Sequence, residues 1–105
     1  MAEFRLSRAA QADFDEIVDY LRQVAGNRVA SDYGDRLRAT INRVAQSPGI
    51  GSPRQFLGPE TRQTGVCPYL IFYDGGPGSE TVHVLRILHG RRNITPQLIA
   101  RGREP

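Results

Sequence analysis

Two histidines, one cysteine and a run of arginines are the residues of this chain whose chemistry reaches furthest. His83 and His89 share strand parity but stand six residues apart, which is about 20 Å along an extended strand. They cannot ligate one metal ion unless the strand bends sharply. Cys67 is the only cysteine, so there is no zinc-type Cys/His spacing and no intrachain disulfide. No metal and no other cofactor is expected. Acid–base chemistry at His89 would need a carboxylate partner, and Glu60 and Glu80 qualify only by lying in neighbouring loops. What remains is charge. Residues 1–47 carry seven Arg and seven acidic residues, whereas from Arg86 onward Arg86, Arg91, Arg92, Arg101 and Arg103 face Glu104 alone. Arg pairs bidentately with carboxylate or phosphate, so these arginines read either as a solvated or ion-paired set or as a contact surface for an acidic or phosphate-bearing partner. A stand-alone nucleic-acid-binding module is disfavoured, because the first half is charge-neutral and leaves no continuous basic face.

These residues depend on the elements that carry them. Glu3-Phe4-Arg5-Leu6 alternates as a short strand. Ser7 can cap the helix that follows, in which Ala10, Phe14, Ile17, Val18, Leu21 and Val24 form one apolar stripe. Gly26 and Asn27 end this helix and cap the next, whose stripe is Val29, Tyr33, Leu37, Ile41 and Val44. Ser47-Pro48-Gly49 stops it. The short link implies an antiparallel helical hairpin over about 8–47. Residues 48–60 are rich in Gly and Pro and read as an irregular loop pinned by Ile50, Phe56 and Leu57.

A sheet is expected over about 61–89. Thr61–Cys67 is its first strand, and Pro68 suggests a bulge or edge position. Tyr69–Tyr73 and Thr81–Leu88 flank a Gly/Pro-rich connection and form a hairpin. By parity His83, Leu85, Ile87 and His89 share one face, and Val82, Val84, Arg86 and Leu88 the other. Tyr69, Ile71 and Tyr73 likewise oppose Leu70 and Phe72. Both sheet faces are then apolar, and only one can cover the helices, which suggests a missing partner. Beyond it lies a basic segment, 90–105, in which Thr95-Pro96 starts a very short helix through Ala100 and Arg101–Pro105 frays. The expected class is α/β (α+β), with order β-α-α-β-β-β in a single domain spanning 1–105. A helical hairpin packs on a small, mainly antiparallel sheet, with a short C-terminal element.

At 105 residues, 39% hydrophobic, 24% charged and net +3, the composition fits one soluble globular domain. The start lacks the apolar core of a signal peptide, and no apolar run reaches membrane-spanning length. Cytoplasm is the expected compartment, with no membrane partner.

The markers Pro48-x-x-Gly51-x-x-Arg54, Arg62, Tyr69-Leu-Ile-Phe-Tyr73 and Leu85-Arg-Ile-Leu-His-Gly-Arg-Arg92 are each weak alone but specific in their order and spacing. Together they make the chain, over about Phe4 to Ile99, resemble the ParE/RelE superfamily of toxin–antitoxin toxins, and its ParE branch of plasmid-stabilisation toxins best. The resemblance implies a toxin neutralised by direct binding of a ParD-like antitoxin. It also implies DNA gyrase as the target, no catalytic residues, and operator DNA reached only through the antitoxin. On this basis Tyr69, Ile71, Tyr73, Arg86 and His89 are candidates for the antitoxin interface. Arg91, Arg92, Arg101 and Arg103 are candidates for the target.

The rival is a ribosome-dependent messenger RNA endoribonuclease of RelE type. Carried over position by position, its basic residue early in the Tyr69 strand falls on Leu70 and its C-terminal Tyr on Leu98. Its upstream basic pair falls near Thr61 and Gln63, and only Arg92 matches. A third alternative is an inactive toxin kept as antitoxin partner and co-repressor.

Overall fold

The computed structural model describes residues 3–104. Strand β1 (Glu3–Leu6) leads into helices α1 (Arg8–Ala25) and α2 (Asn27–Gln46). A two-residue strand β2 (Ser52–Pro53) precedes β3 (Thr61–Val66), β4 (Tyr69–Asp74) and β5 (Thr81–His89), and helix α3 (Pro96–Ala100) follows. The sheet has five strands in the order β1-β5-β4-β3-β2. β1 runs parallel to β5, and every other pairing is antiparallel. The expected element order is present. The loop over 48–60 adds β2 and two short 3-10 turns, Pro48–Ile50 and Gln55–Leu57.

Local signals set most boundaries. The Ser7 hydroxyl oxygen accepts the Ala10 N–H at 2.9 Å and donates to the Leu85 carbonyl at 2.7 Å. It therefore caps α1 and ties it to β5 together. Gly26 alone separates the helices, and Asn27 is the first residue of α2 rather than its side-chain cap. Pro68 sits in the tight β3–β4 turn after a cis peptide bond, not at a bulge.

The bulge lies elsewhere. Phe72 pairs with Arg86 but Tyr73 pairs with Val84, so Leu85 is an extra residue on β5. That extra residue breaks the expected parity. Val82, Val84 and Ile87 all join the core beneath the helices with Phe14, Leu37, Ile41, Val44, Ile71 and Tyr73. Leu85 and Leu88 face the other way.

The second sheet face is not left for a partner. Leu57 from the loop and Ile99 from α3 cover Phe72, Leu85 and Leu88. Ile99 is fully buried. Thr95 caps α3 by accepting the Leu98 N–H, with Pro96 at its first turn. The chain then makes a 3-10 turn over Arg101–Arg103 instead of fraying; Pro105 lies outside the described residues. Gly102 is required there, because a Cβ would collide with the Leu85 carbonyl. Of the three apolar residues expected to pin the loop, Leu57 is buried, while Ile50 and Phe56 stand in solvent.

Candidate functional site

The strand end at His89 organises the surface. Gly90 N–H donates to the Pro68 carbonyl at 2.8 Å, and Arg92 N–H donates to the His89 carbonyl at 3.0 Å. His89 Nδ1 accepts the Arg91 N–H at 3.0 Å, so the ring bonds to neighbouring backbone. The same ring stands edge-on to Tyr69 with centroids 5.6 Å apart. These contacts fix the backbone from which Arg91 and Arg92 project. Both side chains are exposed, and neither forms an ion pair among the described residues.

A groove of about 520 Å³ runs between this strand end and α1. Ile17, Tyr20 and Val24 form the α1 wall, and Tyr33 and Tyr69 the floor, with His89 and Arg92 opposite. Tyr33 and Tyr69 meet edge to face at 5.8 Å. Tyr20 is 59% exposed and Val24 61%. They stand one helical turn apart, so they present one apolar strip. Burial, followed by the charges of Tyr33 and Tyr20, raises the Tyr69 hydroxyl above its ordinary range and keeps it protonated. Glu16 and Arg92 give this groove one exposed charge of each sign, while Asp13 at its edge is committed to Arg86.

On the other side of the sheet end, the Pro48–Gly51 segment is held by two side chains. The Tyr73 hydroxyl donates to the Pro48 carbonyl at 2.7 Å and accepts the Gly51 N–H at 2.9 Å. Arg62 donates to the carbonyls of Gly49 at 3.1 Å and Gly51 at 2.7 Å. A Cβ at Gly51 would strike the Tyr73 ring. Pro48, Gly51, Arg62 and Tyr73 are thus one structural staple. Arg54, the last residue of the loop marker, donates to Gln63.

The candidate residues therefore separate. Tyr69 and His89 line the α1 groove. Ile71 and Tyr73, at 1% and 0% exposure, are committed to the core of this chain and offer no surface. Arg86 was expected at an interface, but it is buried against Asp13, with Nε–Oδ2 at 2.7 Å and Nη2–Oδ1 at 2.8 Å. Arg103 was expected to face a target. It instead pairs with Asp74 at 3.0 Å and with the Thr61 hydroxyl at 2.7 Å. Arg91, Arg92 and Arg101 remain exposed.

Of the positions carried over from the ribonucleases, Thr61 is buried in the Arg103 network and Gln63 is bound by Arg54. Leu70 and Leu98 pack on the second core cluster. Sequence reasoning missed Tyr20, which lies off the core stripe, and took Val24 for a core residue. No helix among the described residues is long and apolar enough to cross a membrane.

A helical hairpin on a mixed five-stranded sheet, with a C-terminal helix sealing the far face, defines a small α+β fold. Residues 4–94 match the family model described as the ParE toxin of the type II toxin-antitoxin system, parDE, and the chain belongs to that family. It is 37% identical over 98 residues to Toxin ParE1 of Caulobacter vibrioides, covering 93% of this chain and 99% of the relative. Toxin ParE1 of Mycobacterium tuberculosis is 32% identical over 97 residues, covering 92% and 98%. A solved chain titled "Chromosomal ParDE TA system from P. aeruginosa" superposes with a TM-score of 0.71, covering 85% of this chain and 96% of that one. At 22% identity that likeness shows the fold.

Proposed function

We propose that this ParE-family toxin is held inactive by a ParD-like antitoxin seated in the α1 groove, and that the freed toxin arrests growth by inhibiting DNA gyrase in the cytoplasm. The observation that carries the antitoxin reading is the strip of Tyr20 and Val24 over an aromatic floor. An amphipathic helix with apolar anchors at helical spacing fits such a groove. Operator DNA is reached through the antitoxin, because the basic excess is confined to the end of the chain. Gyrase as the target is supported by family membership.

The toxin acts by binding rather than catalysis. A ribonuclease of RelE type must stabilise extra phosphate charge and move protons. Leu70 and Leu98 can do neither, and Thr61 and Gln63 are neutral and already hydrogen-bonded.

The test is induction of the chain alone and with its antitoxin. Inhibited supercoiling and a DNA-damage response, both relieved by the antitoxin, are expected. Codon-dependent cuts in ribosome-bound transcripts would establish the ribonuclease instead.

A further inference from the structure

The two adjacent arginines at the end of β5 belong to different grooves. Arg92 borders the α1 groove, whereas Arg91 borders a second cavity of about 580 Å³ beside the Pro48–Ser52 segment and the β3–β4 hairpin. His89, Tyr69 and Pro68 form the ridge between them. Because His89 binds the backbone of both arginines, the division is built into the turn.

Ile50 is the residue of the second groove that folding does not explain. Its side chain is 50% exposed and belongs to neither core cluster. Yet the backbone on both sides of it is fixed by the four hydrogen bonds it makes with the Tyr73 and Arg62 side chains. A backbone fixed before binding spares a partner the cost of ordering the segment that presents the apolar side chain. Leu70, half-buried, lines the same groove. Among the described residues no carboxylate lines it, and Arg91 is its one arginine.

We infer that this second groove docks an acidic, extended segment of the protein on which the toxin acts. An apolar residue of that segment covers Ile50 and Leu70, and a flanking carboxylate pairs with Arg91. The inference rests on the antitoxin occupying the α1 groove. Charge separates the two sites. The α1 groove carries both signs over an aromatic floor, which suits a persistently bound amphipathic helix. The second groove carries one sign and an exposed aliphatic side chain on a clamped backbone, which suits a charge-steered contact.

The experiment compares Ile50→Asp, Arg91→Glu and Arg92→Glu in the full chain. The readouts are growth arrest on induction, affinity for the cognate antitoxin by calorimetry, and inhibition of gyrase supercoiling. All three side chains are exposed, so unchanged melting is expected and is measured first. Ile50→Asp and Arg91→Glu should each weaken growth arrest about tenfold or more, with antitoxin affinity held within about twofold. Arg92→Glu should weaken antitoxin affinity instead. Antitoxin affinity that falls in the Ile50 and Arg91 variants would give the groove to the antitoxin and overturn the inference, as would undiminished arrest in both. If the wild type arrests growth without touching gyrase, the gyrase proposal fails, and the ratio of arrest to antitoxin affinity still decides the groove.

Discussion

Asp13 accepts three hydrogen bonds at once, two from the Arg86 guanidinium and one from the Ile87 N–H at 3.0 Å. Arg86 also donates to the Leu98 carbonyl at 3.0 Å. β1 pairs with β5 only as far as Val84, so the start of α1 takes over where the neighbouring strand ends. The carboxylate does for the edge of β5 what a strand would have done. Donating hydrogen bonds to Asp13 raises the Arg86 guanidinium above its ordinary value, against the opposing effect of burial.

Removing one partner leaves the other buried and unpaired. Asp13→Leu or Arg86→Met alone is expected to cost about 3–5 kcal/mol. Replacing both, as Asp13→Leu with Arg86→Met, should cost less than the sum of the single changes. Urea unfolding of the four proteins checks this. An additive double variant would mean the pair is not energetically coupled.

The Tyr73 staple predicts an alkaline limit. Burial raises the hydroxyl above its ordinary value of 10.0, and the Gly51 hydrogen bond and nearby Arg62 only partly oppose it. The folded state therefore holds this proton more tightly than the unfolded chain. Its contribution to stability is complete below pH 10.0 and is lost as pH rises through the higher folded value. Tyr73→Phe should lose about 1–3 kcal/mol near neutrality and flatten part of the alkaline decline. Tyr69 shifts the same way, so some decline should persist. Chemical denaturation at stepped pH measures both.

The C-terminal element has to be probed by point changes rather than truncation. Cutting after Leu98 removes Ile99, which is fully buried, together with Gly102 and Arg103. The loss of Ile99 alone should cost about 2–5 kcal/mol. Failed folding would then masquerade as lost toxicity. Arg103→Ala breaks a half-exposed pair with Asp74, which should cost about 1 kcal/mol or less. Arg101→Ala should leave melting unchanged. Thermal melts of the three variants test this order.

The parts of this fold legible in the sequence are those set by neighbours along the chain. Ser7 before an apolar stripe and Thr95-Pro96 before a short one announce their caps, and both caps form. Relationships across the sheet were not legible. The extra residue at Leu85 is defined only by its pairing with β4, and without it parity assigns the faces of β5 wrongly beyond that point. Asp13 and Arg86 are separated by 73 positions, and each alone reads as an ordinary surface charge. The same limit made the second sheet face look unpartnered. Nothing in Pro96–Ala100 says that so short a helix will fold back onto Phe72 and Leu88. Val24 failed in the opposite direction. Periodicity puts it on the core stripe, but in the last turn of α1 it borders an open groove.

That groove gives the most direct test of the antitoxin interface. Tyr20 and Val24 are more than half exposed, so Tyr20→Ala and Val24→Asp should change stability by no more than about 0.5 kcal/mol. Covering a large apolar side chain is worth about 1.5–3 kcal/mol when it is fully buried. Each change should therefore weaken antitoxin binding by about tenfold to a hundredfold. Val24→Asp should be the more severe, since it also places an unpaired charge against Tyr33 and Tyr69. Growth arrest by the toxin alone should persist in both, with the antitoxin no longer able to relieve it. Calorimetric titration of the antitoxin into each variant supplies the affinity, and co-induction supplies the rescue. Wild-type affinity in both variants would move the antitoxin to another surface and leave this strip without a role.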